Sequence, residues 1–173
     1  QARIYAEELN DQHGIGSALN NIGNIHLLQG DYDKAEKMYE QSLRIRKNIS
    51  DKLGIASSMN NLGNLYRRKG EYKLAFDYYE DSLLIVEELE DKPGIATALN
   101  NMGVMQRLNN NYDDSLNSYK KAFSLREELE DKNGMALLLN NIGNVYFMQD
   151  DLKQALIHYH RSLDVVRKTG NKM

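Results

Sequence analysis

Asparagine is the residue whose placement in this chain most suggests recognition chemistry. Adjacent pairs recur every forty positions, at Asn20–Asn21, Asn60–Asn61, Asn100–Asn101 and Asn140–Asn141, and a further asparagine follows at Asn24, Asn64 and Asn144. A carboxamide carries two N–H donors and an oxygen with two lone pairs. It can therefore bond both the N–H and the C=O of a passing peptide unit, and it has no charge to dictate the ligand's side chains. Columns of such groups suit an extended polypeptide. They are also costly locally, because each pair is followed closely by a glycine, at Gly23, Gly63, Gly103 and Gly143. Asn and Gly are both poor helix formers, and an interior Gly alone costs about 1 kcal/mol relative to Ala. Something outside the local backbone must compensate.

The elements that position these residues follow from the repeat. Gly14, Gly54, Gly94 and Gly134 share the forty-residue spacing, as do Tyr39, Tyr79, Tyr119 and Tyr159. The repeats are therefore 14–53, 54–93, 94–133 and 134–173. Residues 1–13 match the tail of a preceding repeat, "EELND" at 7–11 echoing "EELED" at 87–91 and 127–131. The pattern breaks off in mid-array at both ends, which suggests a fragment of a longer array. Within the first repeat the spacing predicts one helix from Ile15 to Leu28 and a second from Tyr32 to about Ile49, with "QGD" between them. Leu19, Ile22, Gly23 and His26 form one i, i+3, i+4, i+7 stripe; Tyr32, Ala35, Tyr39, Ser42 and Leu43 form the other. Asp in the joints "DKLG", "DKPG" and "DKNG" suits an N-cap, and Pro93 suits the first helical turn. Strand signals are absent. The fold class read from this pattern is all-α, a solenoid of helical hairpins.

The segments "LNNIGNIH", "MNNLGNLY", "LNNMGVMQ" and "LNNIGNVY", each followed by a stretch such as "GDYDKAEKMYEQSL", resemble the tetratricopeptide repeat. Its signature positions fall on Leu19, Ile22, Gly23, His26, Gly30, Tyr32, Ala35, Tyr39 and Ser42, and again on Met59, Leu62, Gly63, Tyr66, Gly70, Tyr72, Ala75, Tyr79 and Ser82. The forty-residue period exceeds the usual period of about thirty-four, so the second helix should be lengthened. That form resembles the repeats of Pins-type polarity scaffolds, kinesin light chains, bacterial Rap-type peptide receptors and sensor-kinase arrays. The resemblance covers essentially the whole chain. It implies a right-handed superhelical solenoid of helix-turn-helix repeats whose first helices line a concave groove. Some positions depart from the pattern: Val104, Asn110 and Ser115 in the third repeat, Asp150 and Leu152 in the fourth. Less regular turns are expected there.

Two roles are open to the glycines and asparagines. Gly23, on the packing stripe, is read as permitting close approach of the paired helix, with dispersion offsetting its propensity loss. The asparagines lie on a rotated stripe that the resemblance places on the groove, where an asparagine ladder would hold a peptide backbone. The candidate peptide-binding residues are Asn20, Asn24, Asn60, Asn64, Arg67, Arg68, Asn100, Arg107, Asn140, Asn144 and Phe147. The Asn21 column could equally bond the neighbouring repeat's backbone. Net hydrogen bonds of about 0.5–1.5 kcal/mol each set against an association cost of at least about 4 kcal/mol leave carboxamides alone weak. The arginines could add anchors for acidic groups, and Phe147 with Met148 an apolar one.

Other chemistries find little support. The net charge of −3 offers no basic field for nucleic acid. No apolar run approaches the roughly 20 residues of a membrane span, and no signal segment opens the chain. With no cysteine there is neither thiol catalysis nor a disulfide, which fits a reducing, cytoplasmic setting. His158 and His160, two apart on a helix, make a poor metal pair. "EELED" reads as a solvated helix end, and "GIGSALNNIG" lacks the strand that a phosphate loop needs. A chaperone-tail carboxylate clamp would need basic groups where this chain has Asn60, Asn64, Thr97, Asn101 and Asn141. No catalysis and no cofactor are expected. The function expected is a protein-interaction scaffold. The alternative is a sensory segment of a larger signalling protein, a histidine kinase or transcription regulator. Apolar end faces are expected to self-associate weakly.

Overall fold

The structure, a computed structural model, describes the backbone of residues 2–170 and the side chains of residues 11–167. Every element among them is helical: α1 Ala2–Gln29, α2 Tyr32–Asn48, α3 Lys52–Lys69, α4 Tyr72–Glu88, α5 Lys92–Leu108, α6 Tyr112–Glu128, α7 Lys132–Met148 and α8 Leu152–Gly170. The chain divides into an N-terminal half, Gln1–Leu89, and a C-terminal half, Glu90–Met173. In the first, α1 pairs with α2 and α3 with α4, and α3 packs on both α2 and α1. In the second, α5 pairs with α6 and α7 with α8, while α7 packs on α6 and α5. Each half is thus two stacked helical hairpins, the repeating unit of a hairpin solenoid.

The hairpin is built around one contact. A Cβ added to Gly23, Gly63, Gly103 or Gly143 would lie 2.5–2.6 Å from the ring of Tyr39, Tyr79, Tyr119 or Tyr159 respectively. The first helix lies flat on the tyrosine of the second, and Tyr39, Tyr79 and Tyr119 are fully buried beneath it. The close approach expected from the stripe is found, and the ring is what occupies the space. Ala35, Ala75 and Ala155 complete the seam. Beside it, Ser42, Ser82 and Ser162 donate to the carbonyls of Gly16, Ala56 and Ala136 at 2.7, 3.0 and 2.8 Å. The third repeat rearranges this: Ala122 replaces the serine, and Ser115 donates instead to the Gly103 carbonyl at 2.7 Å.

The turns are more uniform than the sequence suggests. Gly30 and Gly70 adopt left-handed φ of 78° and 82°; Asn110 and Asp150 take up the same region at 60° and 62°. The irregularity expected in repeats three and four is absent, because Asn and Asp tolerate this conformation better than other side chains do. At the joints, Asp51 and Asp131 each accept from the N–H of the glycine three residues on, at 2.9 Å, and Pro93 lies in the first turn of α5. Glu88 and Glu128 of the acidic helix ends pair with Lys52 and Lys92 in solvent.

Two details differ from the sequence reading. α1 continues through the joint expected at residues 13–14, where Gly14 meets nothing, whereas Gly54 and Gly134 are pressed by Arg46 and Arg126 and by the capping aspartates. Ile22, placed on the packing stripe, is 42% exposed, while its counterparts Leu62 and Ile142 are covered by the preceding second helices α2 and α6. Leu156 and Leu163 of α8 are exposed in the same way. Away from the tyrosine seam, Tyr66 stacks on Tyr78 and Tyr146 on His158, each at 5.4 Å between centroids.

Two measurements test this packing. Gly63→Ala should destabilise by about 1–3 kcal/mol through overpacking despite alanine's better propensity, whereas Gly14→Ala should stabilise by up to about 1 kcal/mol; urea unfolding followed by circular dichroism reads both. Burial first, then the charges of Arg161 and Lys120, lowers the His158 pKa below its ordinary 6.5. The unfolded imidazole accepts a proton that the folded one resists, so stability is full above about pH 6.5 and declines as the pH falls towards the lowered value. His158→Phe should flatten that part of a melting-temperature profile.

Candidate functional site

The tyrosine that fills the glycine gap also fixes the carboxamides of the Asn24 column. Its ring crosses beneath the first helix, and its hydroxyl emerges one residue beyond the glycine. There Tyr39, Tyr79 and Tyr159 donate to the Oδ1 of Asn24, Asn64 and Asn144 at 2.7, 2.9 and 2.8 Å. With the oxygen so held, the Nδ2 of each amide is the end left to present. Asn24 and Asn144 are exposed and Asn64 half-buried.

The first column behaves differently. Asn20 is only 4% exposed, and its Nδ2 donates to Ser58 Oγ at 3.2 Å across the joint between repeats. Asn60 donates to Ser82 Oγ at 2.6 Å and to the Ala56 carbonyl at 3.2 Å. Asn100 donates to Asn101 Oδ1 at 3.3 Å and accepts from Asn141 Nδ2 at 2.8 Å. Asn140 is exposed. Bonding to a neighbouring repeat, weighed in the sequence for the Asn21 column, is found at Asn141 and also at Asn20 and Asn100, whereas the bonds of Asn60 to Ser82 and Ala56 stay within its own repeat.

The arginines gather at the tyrosine hydroxyls. Burial pushes the Tyr39 hydroxyl's pKa up to about 12 against the opposing charge of Arg68. Burial likewise raises Tyr79 and Tyr119, opposed by Arg67 and Arg107. In the N-terminal half Asn24, Asn64, Arg67 and Arg68 therefore share one neighbourhood. In the C-terminal half Arg107 stands by Tyr119, and Asn144 by Tyr159. Phe147 (59% exposed) and Met148 (53%) are open at the end of α7.

The sequence reading missed the hydroxyl–amide lock, although its signal was present: tyrosine falls fifteen residues after each asparagine. It also missed a segregation of charge. No Asp or Glu occurs in 14–29, 52–69, 92–108 or 132–148, so the first-helix segment within each repeat is free of acid while basic groups punctuate three of them. Among the described residues no group of three or more His, Asp or Glu side chains could hold a metal ion, and no helix is long and apolar enough to cross a membrane.

A tetratricopeptide repeat profile matches residues 1–48 and 53–128, and a second one 135–169. The chain belongs to the tetratricopeptide repeat family. Among solved structures it is similar to BtubC (BKLC) from P. vanneervenii, with TM-score 0.85 and 21% identity over 96% of this chain and 68% of that one. It is similar also to aspartyl phosphate phosphatase F from Bacillus subtilis, with TM-score 0.84 and 12% identity over 93% of this chain and 42% of that one. At these identities the likeness is one of fold. The chain thus spans under half the length of the second neighbour. No curated protein matches it in sequence.

The two kinds of amide should respond differently to truncation. Asn20→Ala removes one of the two side-chain partners of buried Ser58, Ser42 being the other, and should cost about 0.5–1.5 kcal/mol. Asn140→Ala, on an exposed side chain, should stay within about 0.5 kcal/mol of the parent. Chemical denaturation of the two variants separates them.

Proposed function

We propose that this tetratricopeptide repeat chain is a non-catalytic interaction scaffold that holds an extended segment of a protein partner along the first-helix faces of its repeats. The observation that carries the reading is the lock on Asn24, Asn64 and Asn144. Each Oδ1 is engaged by a tyrosine hydroxyl, so each Nδ2 is oriented in advance as a donor to a peptide carbonyl. Fixing the donor before binding reduces the ordering cost that otherwise erodes affinity. Arg67 and Arg68 lie beside two of these amides and supply the stronger, charge-assisted contacts. Phe147 offers an apolar anchor in the other half. Asn140 is available to the same segment; Asn20, Asn60 and Asn100 serve mainly to set the neighbouring helices that carry the binding groups.

Asn→Asp substitution isolates the proposed donor. A carboxylate still accepts from the tyrosine, so the fold is kept, but its N–H groups are gone. A binding peptide is first selected from a random peptide library against the purified chain. Asn24→Asp/Asn64→Asp should then weaken that peptide by about 5- to 100-fold, two net hydrogen bonds' worth, with little change in melting temperature. Undiminished affinity in calorimetry would refute the carboxamide grip.

A further inference from the structure

The apolar joint between successive repeats is plainest at α6 and α7. Leu116 of α6 shares a core cluster with Leu138, Ile142 and Val145 of α7, and Phe123 packs against it. One period later, α8 carries Leu156 and Leu163 at the positions of Leu116 and Phe123, and they are 58% and 49% exposed. Three periods earlier, α1 carries Ala18, Ile22 and Ile25 at the positions of Leu138, Ile142 and Val145. All three are exposed, Ile22 by 42% and Ile25 by 55%. Each end of the described chain thus presents one side of the joint that α6 and α7 close. Solenoid ends ordinarily carry polar outer faces for solubility, and neither of these does.

The polar part of the joint is divided in the same way. Asn141 Nδ2 donates to Asn100 Oδ1 at 2.8 Å, tying together the first helices of the third and fourth repeats. The counterparts at the two ends are Asn21 on α1, at the donor position, and Asn140 on α7, at the acceptor position, and both are exposed. Space is left as well. Gly54 and Gly134 are pressed by Arg46 and Arg126 of the preceding second helices, whereas Gly14 meets nothing. A groove of about 570 Å³ lies there instead, lined by Asp11, His13, Gly14, Ile15, Ser17 and Ala18. On α8 the position of Arg46 and Arg126 is taken by Val166.

We propose that a second copy of this chain closes the joint: α8 of one copy lies on α1 of the next as α6 lies on α7, with Leu156 and Leu163 against Ile22 and Ile25, and Asn21 donating to Asn140 across the contact. The apolar set, the amide pair and the open groove all match, position by position, a joint that the chain already makes. Both sides of that joint stand exposed on the same molecule, which is what singles out a further copy as the occupant. The self-association expected of apolar end faces thereby gains a direction and a register. Because the two faces differ, the contact is heterologous, and each added copy brings a fresh face of either kind. One helix laid on one hairpin is a small interface, so the association is reversible and grows with concentration. It is independent of any segment held along the first helices.

Sedimentation velocity on the purified chain, from about 10 µM to about 1 mM, reads the joint. The weight-average mass should climb above the 19.9 kDa of one chain. Ile25→Asp disables the α1 face and Leu156→Asp the α8 face; both side chains are exposed, so melting temperatures should match the parent's. Either variant alone keeps only one working face and should stay at the mass of one chain. Their equimolar mixture should form dimers and nothing larger, because one working α8 face meets one working α1 face. Asn21→Ala should weaken the parent's association by about 2- to 12-fold, one net hydrogen bond's worth. A parent that stays a single chain at every concentration would overturn the joint. So would association that persists in either variant alone, the mark of contact between like faces, or a mixture that remains monomeric.

Discussion

The hairpins depend on the contact between a glycine backbone and a tyrosine ring. Four first helices accept a residue that disfavours helix because a side chain there would occupy the ring's place. Apolar burial and dispersion along the seam outweigh a propensity loss of about 1 kcal/mol per glycine. The direction of the ring then matters as much as its volume. A phenylalanine could fill the same gap, but only tyrosine carries a hydroxyl through to the far side of the first helix, where it can bond the next residue. Packing and the orientation of the Asn24, Asn64 and Asn144 amides thus come from one side chain.

This coupling explains why carboxamides persist on a helical surface that should prefer better helix formers. An isolated surface asparagine loses rotamer freedom when it binds, and that loss offsets much of a hydrogen bond worth about 1 kcal/mol. An asparagine whose oxygen already accepts from a buried phenol has lost the freedom on folding. The inner column uses the same chemistry for another end: Asn20 ties α1 to α3 through Ser58, and Asn141 ties α7 to α5 through Asn100. One residue type, repeated at two helical angles, supplies both the joints of each half and the amides held by tyrosine on its first helices.

Periodicity made the architecture legible. The forty-residue spacing gave the hairpins, the N-capping aspartates and the glycine seam, because each is a local rule applied four times. Legibility failed where the answer depends on what lies opposite. Asn20 and Asn24 are both asparagines on first-helix stripes, separated by about one turn, yet one is sealed under Ser58 and the other open; only the neighbouring helix distinguishes them. Ile22 fits a packing stripe by spacing, but no preceding second helix among the described residues covers it. Asn110 and Asp150 looked like weakened turns because glycine was taken as necessary, when a left-handed residue was the actual requirement. The uninterrupted helix through Gly14 shows the same limit: an arginine and a capping aspartate close on Gly54 and on Gly134, whereas Gly14 meets nothing.

The third repeat shows how a deviation that is compensated differs from one that is not. Its serine has moved from position 122 to position 115, and the hydrogen bond has moved with it, from the carbonyl used elsewhere to that of Gly103. The two changes together keep a serine hydroxyl on a first-helix carbonyl in every repeat. The exchange at Val104 has no such partner. It removes the carboxamide that accepts the tyrosine proton in the other repeats and leaves Arg107 and Ser115 as the polar side chains acting on Tyr119. Local rules are most often broken without compensation where function requires it. Polar groups buried for stability alone are normally paired, and the polar side chains left to serve Tyr119 are a serine and an arginine in place of an amide.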